Sequence, residues 1–299
     1  MLDKVVIIGA GLIGGSFALA LKQAGAVRHV TGLGRSKTAM QRALALGILD
    51  SVAESSEEAM RGASLVLIAA PVAQTGTILA ALAPYLESGT VVTDAGSTKS
   101  DVVAAARAAL GDKIGQFVPG HPIAGRESNG PDAAIADLYA GKKTVLTPLA
   151  ENREAAIETV AAAWRACGAL IHRLTAQEHD KVFAAVSHLP HLLAFALVDD
   201  VASKPHADLL FQYAASGFRD FTRIAASSPE MWRDISLANR DALLGELDAY
   251  LAQLTVLRGH LFYSDGAAIE AVYANARRAR RAWTGEIETA EAPAAPTAE

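Results

Sequence analysis

The chain has 299 residues, 51% of them hydrophobic and 20% charged, which excludes disorder across the whole chain and leaves room for two domains with buried cores. A net charge of −5 argues against general affinity for nucleic acid or anionic lipid. The lone cysteine, Cys167, cannot form an internal disulfide and fits a reducing compartment. No apolar run reaches the roughly 18–20 residues that cross a bilayer. Val5-Val6-Ile7-Ile8 lacks the basic leader and the Ala-x-Ala site of a signal peptide. It reads as a buried strand, and the protein is expected in the cytoplasm.

Along the first half, short β-branched runs alternate with helical patterns. The pattern predicts strands at Lys4–Ile8, His29–Leu33, Leu65–Ala69, Thr90–Asp94, Gln116–Pro119, Lys143–Thr147 and Leu170–Arg173. Helices are predicted at Leu12–Ala24, Lys37–Leu46, Ala73–Leu86, Ser100–Leu110 and Arg153–Cys167. This succession points to an α/β domain with a mostly parallel sheet covered on both faces.

After about Thr175 strand signals vanish and helical stretches run to Trp283. Leucines at 243, 244, 247, 251, 254, 257 and 261 form a stripe with a period near 3.6 residues, which must bury itself against something. A homodimer answers that need, and so does packing within one subunit. Glu286–Glu299, built from Ala, Pro, Thr and Glu with one large apolar residue, Ile287, is expected to be a disordered tail. The division expected is 1–174 for an α/β dinucleotide-binding domain, 175–285 for an all-α substrate and dimerisation domain, and 286–299 for the tail.

Gly9-Ala10-Gly11-Leu12-Ile13-Gly14 follows the first strand and opens the first helix, the context in which a GxGxxG match points to a dinucleotide. Gly9 permits the tight turn, Gly11 lets the backbone approach a pyrophosphate, and Gly14 lets helix and strand pack closely. The helix start, with Leu12 and Ile13, offers free N–H groups to phosphate. A carboxylate about twenty residues on would hold the ribose of NAD. The chain has Gly34-Arg35-Ser36 there, with no acid to repel a 2′-phosphate and a guanidinium to pair with it. The cofactor is NAD or NADP, with Arg35 and Ser36 leaning toward NADP.

In open parallel sheets ligands bind beyond the carboxyl ends of the strands. Three clusters fall there: Ala69-Ala70-Pro71-Val72, Asp94-Ala95-Gly96-Ser97-Thr98-Lys99 and Gly120-His121-Pro122-Ile123-Ala124-Gly125. Small residues with Pro71 suit the floor beside a flat ring. His121, expected in a rigid loop between glycine and proline, can take a proton from a substrate hydroxyl as hydride leaves the same carbon. Ser97 can hydrogen-bond the same hydroxyl. A purely structural histidine is the alternative.

The helical half carries His179-Asp180, Ser187-His188-Leu189-Pro190-His191, Ser216 to Ala225, Met231 to Ile235 and Asn239. His188 and His191 raise a metal site, but no HExxH pattern or thiol cluster supports one. Arg219 and Arg223 share a face if their segment is helical. They suit a carboxylate substrate, or else ion pairs with Asp220 or Asp234. Arg277 to Arg281, a basic run near a helix end, suits the negative end of the dipole better than a nucleic acid.

At these motifs, from Val5 to about Arg281, the sequence resembles the prephenate/arogenate dehydrogenase family. The blocks after the glycine fingerprint, in this order, are the selective part. The resemblance implies a Rossmann-type N-terminal domain and a helical C-terminal domain that dimerises. It implies oxidative decarboxylation of prephenate to 4-hydroxyphenylpyruvate, or of arogenate to tyrosine. His121 matches the family's catalytic histidine and Ser97 the serine beside it. Arg223 matches the arginine that binds the side-chain carboxylate, and His188 a second substrate-site histidine. Glu127 and Trp232 join the expected substrate-binding set, as does Arg219, which stands where some relatives carry lysine. Arg126 departs from the small hydroxyl residue of some relatives. A dehydrogenase of another small hydroxy acid and a dinucleotide-sensing regulator are the competing readings.

Overall fold

The computed structural model describes residues 1–126 and 128–291. The chain forms two compact units, Met1–Leu243 and Leu244–Glu299.

The first unit is built on a six-stranded sheet. Its strands are β1 (Leu2–Ile8), β2 (Val27–Leu33), β3 (Ser51–Val52), β4 (Leu65–Ile68), β5 (Val91–Asp94) and β6 (Phe117–Val118), in the spatial order β3-β2-β1-β4-β5-β6. Every pairing is parallel. The helices between them are α1 (Leu12–Gln23), α2 (Lys37–Ala45), α3 (Ser56–Met60), α4 (Thr75–Leu82) and α5 (Ser100–Leu110). The period-2 geometry of a strand explains the unbroken apolar run of β1. Val5 and Ile7 enter a core with Phe17 and Leu21 of α1 and with Trp164. Val6 and Ile8 enter a second core with Met60, Leu79, Leu82 and Val102 on α3, α4 and α5. The strand order reverses between β1 and β4, opening the crevice where such sheets bind ligands.

The last two predicted strands leave this sheet. β7 (Gly120–Pro122), β8 (Lys143–Leu146) and β9 (Leu170–Arg173) form a separate three-stranded sheet, with α6 (Glu154–Ala166) between β8 and β9. β7 pairs antiparallel with β8, and β8 parallel with β9. Pro119 is the physical break: without an N–H it cannot carry the ladder past β6, so the predicted strand Gln116–Pro119 shortens to two residues. His121 therefore sits on a paired strand, opposite Val145, rather than in a loop.

The helical part of this unit comprises α7 (Ala176–Phe183), α8 (Leu189–Ala202), α9 (Ala207–Gln212), α10 (Ser216–Thr222) and α11 (Pro229–Ala238). A capping box starts α7: the Thr175 hydroxyl accepts from the Glu178 N–H, and the Glu178 carboxylate accepts from the Thr175 N–H. A π turn, Ala184–His188, joins α7 to α8. Taken together, Ala176–Ala202 is a 27-residue helix with a mean hydropathy of 1.6 in its most apolar window, long and apolar enough to cross a membrane by length and composition. Ser187, His188, Pro190 and His191 interrupt the apolar run in the sequence but not the helix, so no unbroken apolar run of 18–20 residues is present although the helix is long enough. Packing crosses the expected boundary at 174, because α7 is hydrogen-bonded to the sheet half through Asp180.

The second unit holds most of α12 (Arg240–Phe262) and α13 (Gly266–Glu291). Leu244, Leu251, Leu254 and Leu261 of the predicted stripe are exposed. α13 continues six residues into the segment expected to be disordered, as far as Glu291. Adding a residue to an existing helix needs no new nucleus, and Glu and Ala are good helix formers. The rest of that tail, 292–299, lies outside the described residues.

Candidate active site

The glycine turn forms a cradle at the start of α1. Gly9 has φ of +95°, and a β-carbon there would stand 2.5 Å from the Ala69 carbonyl oxygen. A β-carbon at Gly14 would collide with the Gly9 oxygen. Gly11 differs: a β-carbon there would meet nothing within 4 Å. Gly11 is also the N-cap of α1 with no side chain capping it, so no side-chain hydrogen bond from the cap occupies the helix start. That combination fits a pyrophosphate. Leu12 is buried, and the Ile13 carbonyl is held by the Tyr139 hydroxyl at 2.6 Å. Pro71, after β4, is exposed. After β2, Arg35 is exposed, while the Ser36 hydroxyl caps α2 by accepting from the Ala39 N–H at 3.2 Å. Ser36 thus has a structural task as well as a place beside the cradle.

At the end of β5, Asp94 and Lys99 form a fully buried ion pair. The Asp94 carboxylate accepts from the Gly96 N–H at 2.8 Å and the Gly120 N–H at 3.0 Å, and the Lys99 ammonium donates to the Gly120 carbonyl at 2.8 Å. These four residues thereby lock the loop after β5 to the first residue of β7. Ser97 lies within that loop, half-buried.

The next residue, His121, is half-buried. Its Nδ1 is 2.8 Å from His179 Nε2, and His179 Nδ1 is 2.9 Å from the Asp180 carboxylate. Phe183 flanks both rings, at 4.9 Å and 4.4 Å between centroids. Asp180 also accepts from the Lys99 and Ser100 N–H groups, both at 2.8 Å, at the positive end of α5. Desolvation works against its charge, but hydrogen bonds from His179, Ser100 and Lys99 hold it below the usual carboxylate value. Desolvation pushes His179 down, against Asp180. His121 is driven well below 6.5 by desolvation and then by His179, Lys99 and His188. Protons can therefore be placed. An ionised carboxylate only accepts, so His179 carries its hydrogen on Nδ1 and accepts at Nε2. His121 then donates from Nδ1, which leaves a lone pair on its own Nε2.

His188 ends the π turn with 1% of its surface exposed. Its Nδ1 is 3.1 Å from Asn239 Nδ2, and its Nε2 has no hydrogen-bond partner among the described residues. Burial pushes its pKa down to about 4. The His191 ring stacks on Trp232 at 3.5 Å, and the buried Trp232 Nε1 is also without a partner. Arg223 is near enough to His191 to disfavour its protonation. Trp232 lies between the two histidine rings, 6.1 Å from His188 and 3.5 Å from His191 between centroids, and the charge of His188 is felt at His121 as that of Arg223 is at His191. Arg219 is exposed on α10, beside Asp220 at 3.8 Å. It does not share a helix with Arg223, because α10 ends at Thr222 and Arg223 opens a 3-10 turn. Glu127 lies outside the described residues.

Comparison with known proteins gives the family. Residues 17–173 match the family model described as prephenate dehydrogenase, nucleotide-binding domain, and residues 175–270 match prephenate dehydrogenase, dimerization domain. The chain belongs to the prephenate dehydrogenase family. It is 39% identical over 280 residues to a cyclohexadienyl dehydrogenase of Zymomonas mobilis, covering 93% of this chain and 95% of the relative. It is 37% identical to a prephenate dehydrogenase of Bacillus subtilis, covering 89% and 72%. It also superposes on the crystal structure of an Aquifex aeolicus prephenate dehydrogenase in complex with hydroxyphenyl propionate and NAD+, with a TM-score of 0.88, 34% identity, and 94% and 98% covered.

The sequence pattern marks His179-Asp180, Asn239 and the Asp94-to-Lys99 block but assigns His179, Asp180 and Asn239 no role in the site, nor Asp94 and Lys99 the clamp on His121. A carboxylate after a histidine in an apolar helix was the available signal, since so polar a pair is seldom buried without a partner.

Proposed function

We propose that the chain catalyses the oxidative decarboxylation of prephenate, or of its amino counterpart arogenate, giving 4-hydroxyphenylpyruvate or tyrosine in cytoplasmic tyrosine biosynthesis. The observation that carries this reading is His121, held as an Nε2 acceptor by His179 and Asp180 at the ligand-binding edge of the sheet. When bound in the glycine cradle, the nicotinamide cofactor supplies the hydride acceptor. The chain's own residues do the rest. His121 Nε2 takes the proton of the ring hydroxyl as hydride leaves the same carbon, and returns it to the phenolate oxygen once the ring carboxylate has left as carbon dioxide, with Ser97 beside it to fix that oxygen. Arg223 and Arg219 supply positive charge, and His188, Trp232 and Glu127 complete the substrate-binding set. Aromatisation drives the step, so holding the ring in place and holding one proton while the bonds rearrange are what the protein must provide.

Arg35, with no acid beside it after β2, supports a preference for NADP over NAD. The exposed leucine stripe, together with the family's dimerization domain, supports a homodimer. The segments 1–174 and 175–285 are proposed as functional divisions, dinucleotide-binding and substrate-binding, distinct from the packing units.

A four-way assay tests this reading: purified protein with prephenate or arogenate, each with NAD or NADP. Nicotinamide reduction with at least one substrate is expected, with the higher kcat/KM for NADP. No reduction in any of the four overturns the activity, and a clear preference for NAD overturns the role of Arg35.

A further inference from the structure

One buried contact has no part in the chemistry above. Asn239, 5% exposed at the end of α11, places its Nδ2 2.7 Å from the Asp180 main-chain oxygen and 3.1 Å from His188 Nδ1. A carbonyl oxygen can only accept, so the side-chain NH₂ group must face Asp180, and the amide cannot be flipped without setting oxygen against oxygen. The second hydrogen of that NH₂ group then points at His188 Nδ1, which must accept. A neutral imidazole carries one hydrogen, so His188 carries it on Nε2. That atom is the buried one without a partner among the described residues. A buried donor left without a well-formed hydrogen bond is costly, and this one belongs to a ring that has the Ser97 main chain close by and the Trp232 ring 6.1 Å away.

The geometry points to Asn239 as a positioning residue that sets His188 as a fixed, neutral N–H donor to a carboxylate oxygen of the substrate. Asp180 thus governs two histidines in opposite senses. Its carboxylate, through His179, leaves His121 Nε2 bare to accept. Its main-chain oxygen, through Asn239, leaves His188 Nε2 protonated to donate. The nature of the acceptor rests on the dehydrogenase reading, whereas the tautomer does not.

Nitrogen NMR of protein labelled with ¹⁵N at histidine reads the tautomer without ligand, with His188 assigned by the signals lost in His188→Gln. A hydrogen on Nε2 and a bare Nδ1 are expected; the reverse pattern, or an average of the two, overturns the inference whatever the enzyme's substrate. In a preparation that turns over prephenate, 4-hydroxyphenylpyruvate is then added. A shift of the His188 Nε2 signal with Nδ1 little changed is expected, and an unmoved Nε2 overturns the role as ligand donor. In Asn239→Asp the carboxylate accepts from His188 Nδ1–H, so the tautomer inverts. KM should rise about 10- to 100-fold with kcat changed less than about threefold. An unchanged KM, or a fall confined to kcat, overturns the positioning role. If that variant does not fold, the two measurements on the unaltered protein still decide.

Discussion

The glycine cradle and the histidine cluster stand at the same edge of the sheet and are made in different ways. The cradle is backbone: one turn, one helix start, and side chains absent where a ligand must come close. The cluster is side chain: Asp94, Lys99, His121, His179, Asp180, His188 and Asn239, drawn from five separate stretches of chain and closed by hydrogen bonds. A backbone site tolerates whatever leaves the turn alone. A side-chain network fails when any member leaves a buried partner unsatisfied.

The sharpest test of that contrast lies at the cluster. His121→Asn should lower kcat by about 10²–10⁴-fold with KM little changed, the usual share of a general base; steady-state kinetics with the preferred substrate checks it. Next is Lys99→Met, which strands the Asp94 carboxylate at 1% exposure. About 3–5 kcal/mol of stability should be lost, read from denaturant unfolding.

Acid should act on the cluster before it acts on the cradle. His188 moves from 6.5 in the unfolded chain to about 4 in the folded one, so below pH 6.5 the unfolded state binds more protons. Stability therefore falls as pH drops from 6.5 toward 4, by about 3 kcal/mol from this residue. His121 and His179 act in the same direction. Unfolding curves across that window check the slope; a flat profile would contradict the buried neutral histidines.

The smallest effects separate two glycines of the cradle. Gly14→Ala should cost about 1–3 kcal/mol in stability, since its methyl meets the Gly9 carbonyl. Gly11→Ala should leave the melting temperature nearly unchanged, because its methyl meets nothing, while weakening dinucleotide binding by about tenfold or more. Thermal melts and titration calorimetry of the two variants would show whether the cradle separates fold from binding in this way.

This difference in construction also explains what the sequence made legible. The cradle lies within six consecutive residues, and period-2 and period-3.6 patterns reveal most strands and helices around it. His121 and Ser97 were visible because they follow predicted strands. The clamp and the His121–His179–Asp180 hydrogen bonds are not, because their partners lie 5, 21, 58 and 81 positions apart and only the folded chain brings them together. Pro119 was readable as a strand breaker, yet the second sheet it creates depends on β7 finding β8, a non-local choice. The extent of α13 was missed for the opposite reason: composition spoke for disorder where an established helix propagates.

The π turn before α8 has its own bearing on how this enzyme could change. Such a turn holds one residue more than the α-helical repeat needs, and each residue of an α-helix advances it by about 100° around its axis. Removing the exposed Val186 would let Ala176–Ala202 close into a regular helix. Because the wider i→i+5 turn takes up the extra residue, that deletion would leave His188 and His191 close to their present phase relative to His179. A deletion in the regular turns on either side would instead rotate them by about 100°, so the π turn is a place where the length of this helix can change without turning one half against the other.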